Sequence, residues 1–337
     1  MLKEAMLYAK LNGSRVQCGV CGRKCVIPEG GLGFCRVRKN TGGTLYSLVY
    51  PKVCSASVDP ITKKPLSHFH PDSFVFSVAT VGCNFNCQFC QNWVISQERD
   101  IKGQEMPPQE IVRAAKRYGC RGVSYTYTEP TIFLELAYET SVLAHKEGLF
   151  NTYVTNGYMS TETVRTLGPY LDAATVDFKG SADPEFYRKM SNVPSVEPIF
   201  EALQEMKRQG VHIEITDLLV TKYGDSIELV GTLAAWVVEN LGPDIPFHLL
   251  RFHPDYKLTD VPPTPVQTLE KAVETAKSKG LRYVYIGNVP GHRYENTYCP
   301  SCGDLLIERF GFDMTEWRLT KSNTCPKCGM KIAIVKA

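Results

Sequence analysis

Residues 73–90 read SFVFSVATVGCNFNCQFC, and the fold is decided there. Residues 74–80 form an apolar and β-branched run of strand length. Directly after it come Cys83, Cys87 and Cys90, separated by three and then two residues. Thiols on a loop at the C-terminal end of a strand lie where α/β sheets place their ligands. Working outward, similar runs recur at 122–127, 150–155, 173–178, 211–220, 247–252 and 282–287. Between them, amphipathic segments predict helices at 108–118, 130–147, 197–209, 227–240 and 264–279, several opened by Pro or closed by Gly148, Gly210 or Gly280. Strand, helix, strand repeated six or seven times predicts an α/β fold with a parallel sheet and right-handed crossovers, as a barrel or a doubly wound sheet.

The whole chain of 337 residues carries 38 basic and 35 acidic side chains, a net charge of +3, and is 43% hydrophobic. That balance excludes a disordered chain and gives no global footprint for nucleic acid. No run approaches the ~18 apolar residues of a membrane span, and Lys3, Glu4, Lys10 and Arg15 interrupt any leader, so a cytoplasmic location with no membrane partner is expected. All of the 13 cysteines except Cys54 and Cys120 fall into three groups: Cys18, Cys21, Cys25 and Cys35; Cys83, Cys87 and Cys90; and Cys299, Cys302, Cys325 and Cys328. In a reducing compartment such close neighbours read as metal thiolates rather than disulfides. The groups divide the chain into a cysteine-rich N-terminal module at 1–70, a β/α core at 71–288 and a C-terminal metal-binding module at 289–337.

A four-iron cubane normally takes four cysteines. The central group offers three, which leaves one iron open; a zinc site, or a cluster completed by Cys54 or Cys120, is the plainer alternative. The motif, with aromatic Phe89 before its third cysteine, resembles the signature of the radical S-adenosylmethionine (SAM) superfamily. The resemblance implies a partial (β/α)6 TIM-like barrel and a 4Fe-4S cluster whose open iron is chelated by the amino and carboxylate groups of SAM. It also implies reductive cleavage of SAM to a 5′-deoxyadenosyl radical that abstracts a hydrogen atom from a substrate. In YTYTEP, residues 125–130, Thr126 and Glu129 then become SAM contacts, with Glu129 facing the ammonium. Tyr127 and Thr128 stand where the superfamily usually has two glycines, and the plain reading of Glu129 is a carboxylate at a helix N-terminus.

Thr155 and Asn156, in TNG, and Asp177 and Lys179, in DFK, resemble the SAM-contacting strand ends of pyruvate formate-lyase activating enzymes. The two-residue period puts Asp177 and Lys179 on one face; a turn and a salt bridge are the plain readings. Val154 replaces the acidic residue of those enzymes, so no cation site is expected there. HLLRFHP, residues 248–254, maps a further site histidine onto His253, as an adenosyl contact, a proton relay or an ordinary rim residue. His68 and His70 read as turn or packing residues.

CPSCG at 299–303 and CPKCG at 325–329 are two knuckles of a four-sulfur site, a zinc ribbon or its rubredoxin-like iron counterpart. Cys18, Cys21, Cys25 and Cys35 close a zinc site or hold a second 4Fe-4S cluster, and spacing in sequence does not separate these. Arg36, Arg38 and Lys39 beside them read as solvated surface rather than an RNA contact. Over nearly its whole length, through VIPEGGLGFCRVR, KPLSHF, GCNFNCQFCQNW, YTYTEPT, VDFKG and GNVPGH, the chain resembles the radical SAM member of the AmmeMemoRadiSam system. That likeness implies Memo-like and AMMECR-like partners and an electron donor such as flavodoxin or ferredoxin. The substrate class stays open among a glycine of a protein, RNA and a small molecule. The rival reading is a non-catalytic iron–sulfur and zinc scaffold for electron transfer or assembly.

Overall fold

A computed structural model describes residues 2–336. Its centre is an eight-stranded sheet whose order in space follows the chain: β1 (Ser55–Pro60), β2 (Phe74–Ala79), β3 (Gly122–Tyr125), β4 (Phe150–Thr155), β5 (Ala173–Lys179), β6 (His212–Leu219), β7 (Phe247–Arg251) and β8 (Val284–Gly287). Strands β2 to β8 are parallel and fall on the seven runs of the sequence, one more strand than the six-fold barrel implied by the resemblance. Consecutive parallel strands joined by outer helices curl toward a barrel, with every strand's C-terminal end on one rim.

β1 is the part the sequence reading omits. It pairs antiparallel with β2, Ser55 opposite Ala79 and Pro60 opposite Phe74, and so extends the core sheet from within residues 1–70. Its residues are mostly half-exposed, which leaves no continuous apolar run to mark it.

The helices follow from their periodicity. Helix α1 (Pro108–Arg117) buries Pro108, Ile111, Val112 and Ala115, the spacing of one helical face. The helix expected over 130–147 is divided into a 3-10 turn, Pro130–Phe133, and α2 (Leu134–Lys146). Two short helices, α3 (Thr161–Leu167) and α4 (Pro184–Ser191), add to the expected set. Each has its own start signal: Ser160 accepts the amide N–H of Thr163, and Asp183 that of Glu185. Outside the sheet lie α5 (Glu197–Arg208), α6 (Ile227–Asn240) and α7 (Val266–Ser278), the last two packed together.

The flanking segments are small antiparallel sheets. At the N-terminus, Lys3–Glu4, Thr44–Ser47 and Arg38–Thr41 form one, and Tyr8–Lys10, Val16–Cys18 and Val26–Ile27 another. Arg38 corrects the expectation of a solvated run: it is 1% exposed, and its guanidinium grips both carboxylate oxygens of Glu135 on α2 at 2.7 and 2.9 Å. At the C-terminus, Thr297–Tyr298, Leu305–Phe310 and Asp313–Trp317 form a sheet whose core is continuous with Tyr283 and Tyr285 at β8. No described helix is long and apolar enough to cross a membrane.

Candidate active site

The loop after β2 carries the three central cysteines, and two neighbouring elements fix it. The Gly82 amide donates to the Ile95 carbonyl at 2.9 Å, within the single helical turn Trp93–Ser96. Asn86 and Gln88 donate to the carbonyls of Ser191 and Met190 at the end of α4, at 3.0 and 2.8 Å. The Cys87 thiol meets Ser191 Oγ at 3.2 Å, Cys90 meets Ser96 Oγ at 3.1 Å, and Cys83 Sγ accepts the Phe85 amide at 3.4 Å. Phe89 is buried against Phe186, ring centroids 5.5 Å apart. Burial pushes the Cys83 thiol well above its ordinary pKa, and Cys87 to about 11 although Lys179 works the other way.

Glu129 and the strand ends come together beside this loop. Glu129 is 2% exposed. Its Oε1 accepts the Thr131 amide at 3.0 Å, the Thr131 hydroxyl, and Thr155 Oγ1 at 2.8 Å, while Oε2 accepts the Asn156 amide at 2.8 Å. Burial raises its pKa above the usual carboxylate value, against the pull of those donors. Glu129 therefore does cap the Pro130 turn, as its plain reading has it, and the same carboxylate ties β3 to β4. Asn156 Nδ2 reaches Asn84 Oδ1 at 2.7 Å, which bonds the end of β4 directly to the cysteine loop.

Thr126 continues the ladder, its amide donating to Val78 at 3.0 Å. Tyr127 adopts φ +63°, the left-handed conformation a glycine takes without cost, so a non-glycine residue supplies the same backbone path here. Its carbonyl accepts Asn92 Nδ2 at 2.9 Å, its hydroxyl donates to Asp59, and the Lys64 ammonium sits 4.5 Å from its ring centroid. Asp177 and Lys179 do share a face, Nζ to Oδ2 3.9 Å. Burial opposes the Lys179 charge, but Asp177 and the three central cysteines raise its pKa above the ordinary value. Next to them Asp217 accepts both the amide and hydroxyl of Ser181, at 2.8 and 2.7 Å, and burial lifts its carboxyl to about 6.

His253 is not drawn into this set: it is exposed, with Nδ1 2.9 Å from the carbonyl of Pro254. His68 is wholly buried between Ala333 O and the Tyr285 hydroxyl, and His70 stacks on Phe150, so both pack as expected. Sequence reasoning missed Asn84, Asn92, Ser96 and Ser191. Asn84 and Asn92 sit close to the motif and are findable by proximity; Ser191 is remote in sequence and carries no local signal. It also missed Arg23, whose guanidinium donates to the Asn84 and Asn192 carbonyls at 2.5 and 2.6 Å, joining the N-terminal cysteine group to the central loop.

Against known families, residues 77–237 match the radical SAM superfamily. The chain carries a radical SAM domain. It is 50% identical to an uncharacterised protein of Methanocaldococcus jannaschii over 337 residues, 99% of this chain and all of that one. Among solved structures, a radical SAM methyltransferase from Sphaerobacter thermophilus superposes with a TM-score of 0.53 at 14% identity, covering 90% of this chain and 81% of that one. SuiB of Streptococcus suis bound to SAM superposes with a TM-score of 0.50 at 16% identity over 69% of this chain, which spans 53% of SuiB. These likenesses are of fold. A radical SAM domain implies a 4Fe-4S cluster and SAM as cofactors.

Of the three cysteine groups, only the C-terminal one gathers its sulfurs tightly among the described residues. Cys299, Cys302, Cys325 and Cys328 lie within 4.8 Å of one another, with pairs at 3.5 and 3.6 Å. Four sulfurs at about 2.3 Å from one tetrahedral ion stand about 3.8 Å apart, so this group fits a single ion.

Proposed function

We propose that the chain is a SAM-cleaving radical enzyme. Cys83, Cys87 and Cys90 hold a 4Fe-4S cluster with one iron open to SAM, and the radical released abstracts a hydrogen atom from a substrate held over the barrel mouth. The observation that carries this reading is the convergence of three buried or half-buried thiols, Glu129, Thr155, Asn156 and Lys179 on one rim of the sheet. A scaffold with saturated metals has no use for that ring. The donor set fits the cluster: the three sulfurs come from one loop and are not drawn together to the spacing of a lone ion.

Bound there, the cluster would supply one electron to the sulfonium of SAM. The chain's own residues bind and aim. Lys179 places a positive charge beside the three thiolates. Glu129 has three donors on Oε1 but one on Oε2, which leaves Oε2 able to accept from the ammonium of SAM. Thr126 and the Asp177 carboxylate line the same rim for the rest of the ligand.

The hydrogen donor stays open among a protein glycine, RNA and a small molecule. A flavodoxin or ferredoxin supplies the electron, Memo-like and AMMECR-like proteins are partners, and the C-terminal quartet holds zinc. Anaerobic reconstitution followed by reductant and SAM is expected to yield 5′-deoxyadenosine by mass spectrometry. A fully reconstituted protein that makes none overturns the reading. Cys87→Ala is expected to abolish the product with the circular dichroism spectrum unchanged.

A further inference from the structure

The N-terminal cysteines pose a question that their spacing in sequence leaves open and their spacing in the fold answers. Cys18, Cys21, Cys25 and Cys35 line one cavity, together with Arg23, Gly33 and Arg38. They therefore form one four-sulfur set. Yet among the described residues no three of these sulfurs lie within 4.8 Å of one another, whereas the C-terminal quartet does so completely. Four thiolates on one zinc share a single centre and stand about 3.8 Å apart. Four thiolates on a cubane each hold a different iron at a different corner, so they stand farther apart around a filled centre. The N-terminal set lacks the first arrangement, which leaves the second.

The packing around each thiol holds that spacing. Cys18 ends the strand Val16–Cys18 and its amide donates to the Cys25 carbonyl at 2.9 Å. Cys21 bridges to Met159, just past the end of β4, and Gly22 donates to the Tyr158 carbonyl at 3.1 Å. The turn carrying Cys35 closes through Arg36 N to Gly33 O at 2.8 Å. Charge does not discriminate, since a tetrathiolate zinc and an oxidised tetrathiolate cubane both carry about −2. Arg23 and Arg38 suit either; the spacing decides.

The position is also specific. Cys35 and Cys83 line the same cleft, of about 460 Å³. A Cβ on Gly82 would lie 2.9 Å from the Cys35 carbonyl oxygen, so the two cysteine loops touch through backbone. We propose that Cys18, Cys21, Cys25 and Cys35 hold a second four-iron cluster, closed by four protein thiolates and seated against the central cysteine loop. The assignment of these four residues stands without the central site; only the word second rests on the proposed function.

The test is metal analysis with Mössbauer spectroscopy on the full chain reconstituted with iron-57. The expected result is the iron of two cubanes. The iron of one cubane accompanied by zinc at both flanking sites overturns the proposal. The triple variant C83A/C87A/C90A is expected to keep one cubane whose dithionite-reduced electron paramagnetic resonance signal does not change on adding SAM. That variant carrying zinc and no cubane is equally fatal. If it does not fold, the wild-type iron count still decides. Failure of the proposed function looks different: the N-terminal cubane persists in the triple variant, while no signal in the wild type responds to SAM.

Discussion

Glu129 shows how much of the site a single side chain organises. Its carboxylate takes two bonds from Thr131, one from Thr155 and one from the Asn156 amide, and so fixes the ends of two strands. In Glu129→Gln the new amide nitrogen meets an N–H or O–H donor at either oxygen position. It also loses the charge that attracts an ammonium. The expected cost in SAM binding is about 1.5–3 kcal/mol, about ten- to a hundredfold in Kd, read by equilibrium dialysis with the iron content held equal. Asp217 sets a pH dependence of the opposite kind to a salt-bridged carboxylate. Burial raises its folded pKa to about 6, so between about pH 4 and 6 the folded chain keeps a proton that the unfolded chain has released. Stability from this group is therefore present at low pH, falls as pH rises through that window and is lost above it, by about 3 kcal/mol at most. Urea unfolding of the wild type against Asp217→Asn from pH 4 to 7 checks this: the difference between the two is expected to change across the window and to level off above it. The residues of this rim are legible in the sequence one at a time, through their motifs. The bonds among them are not, because Glu129, Thr155 and Asn84 meet only after two crossovers.

Between elements, the strands read well and the joints read poorly. Each parallel strand carries a continuous apolar or β-branched run, which period and length alone can find. β1 lacks such a run, and its partner strand lies across a loop whose path no local pattern sets. Arg38 is the clearest case of a joint hidden in the sequence. Surrounded by Arg36 and Lys39 it looks like solvated charge, yet it is buried and bound to Glu135, whose Oε1 also accepts the Met6 amide at 2.7 Å. This buried pair, with the more exposed Lys3–Glu139 pair, holds the N-terminal sheets to α2. Arg38→Ala leaves the Glu135 carboxylate buried without its counter-charge and is expected to cost about 3–5 kcal/mol in unfolding free energy. An apolar pair, R38M/E135L, removes both charges and is expected to recover most of that loss. Urea unfolding of the three proteins separates the outcomes: an alanine variant as stable as wild type means the pair does not join the two parts.

At the scale of the molecule, the C-terminal quartet was the most legible metal site, because two knuckles with a glycine after each encode a tetrahedral site locally. What the sequence did not convey is where that module docks. Its core is contiguous with Tyr283 and Tyr285 at the edge strand β8, and its last residues return to the N-terminal side of the sheet, where Ala333 O meets His68 Nδ1 at 2.8 Å and the Val335 amide donates to His68 O at 2.8 Å. The module therefore covers the sheet at the end away from the cysteine rim. A core this small gains little from burial alone, so an ion held by the quartet would supply a large share of its order. Cys325→Ser removes one of four ligands from a tight site. Zinc content is expected to fall and protease cleavage to appear within 289–336, while the iron bound at the central cysteines and its response to SAM persist, since no C-terminal cysteine lines the central cleft. Parallel loss of zinc and central iron, by metal analysis of the purified variant, would mean instead that the two ends of the sheet are energetically one unit.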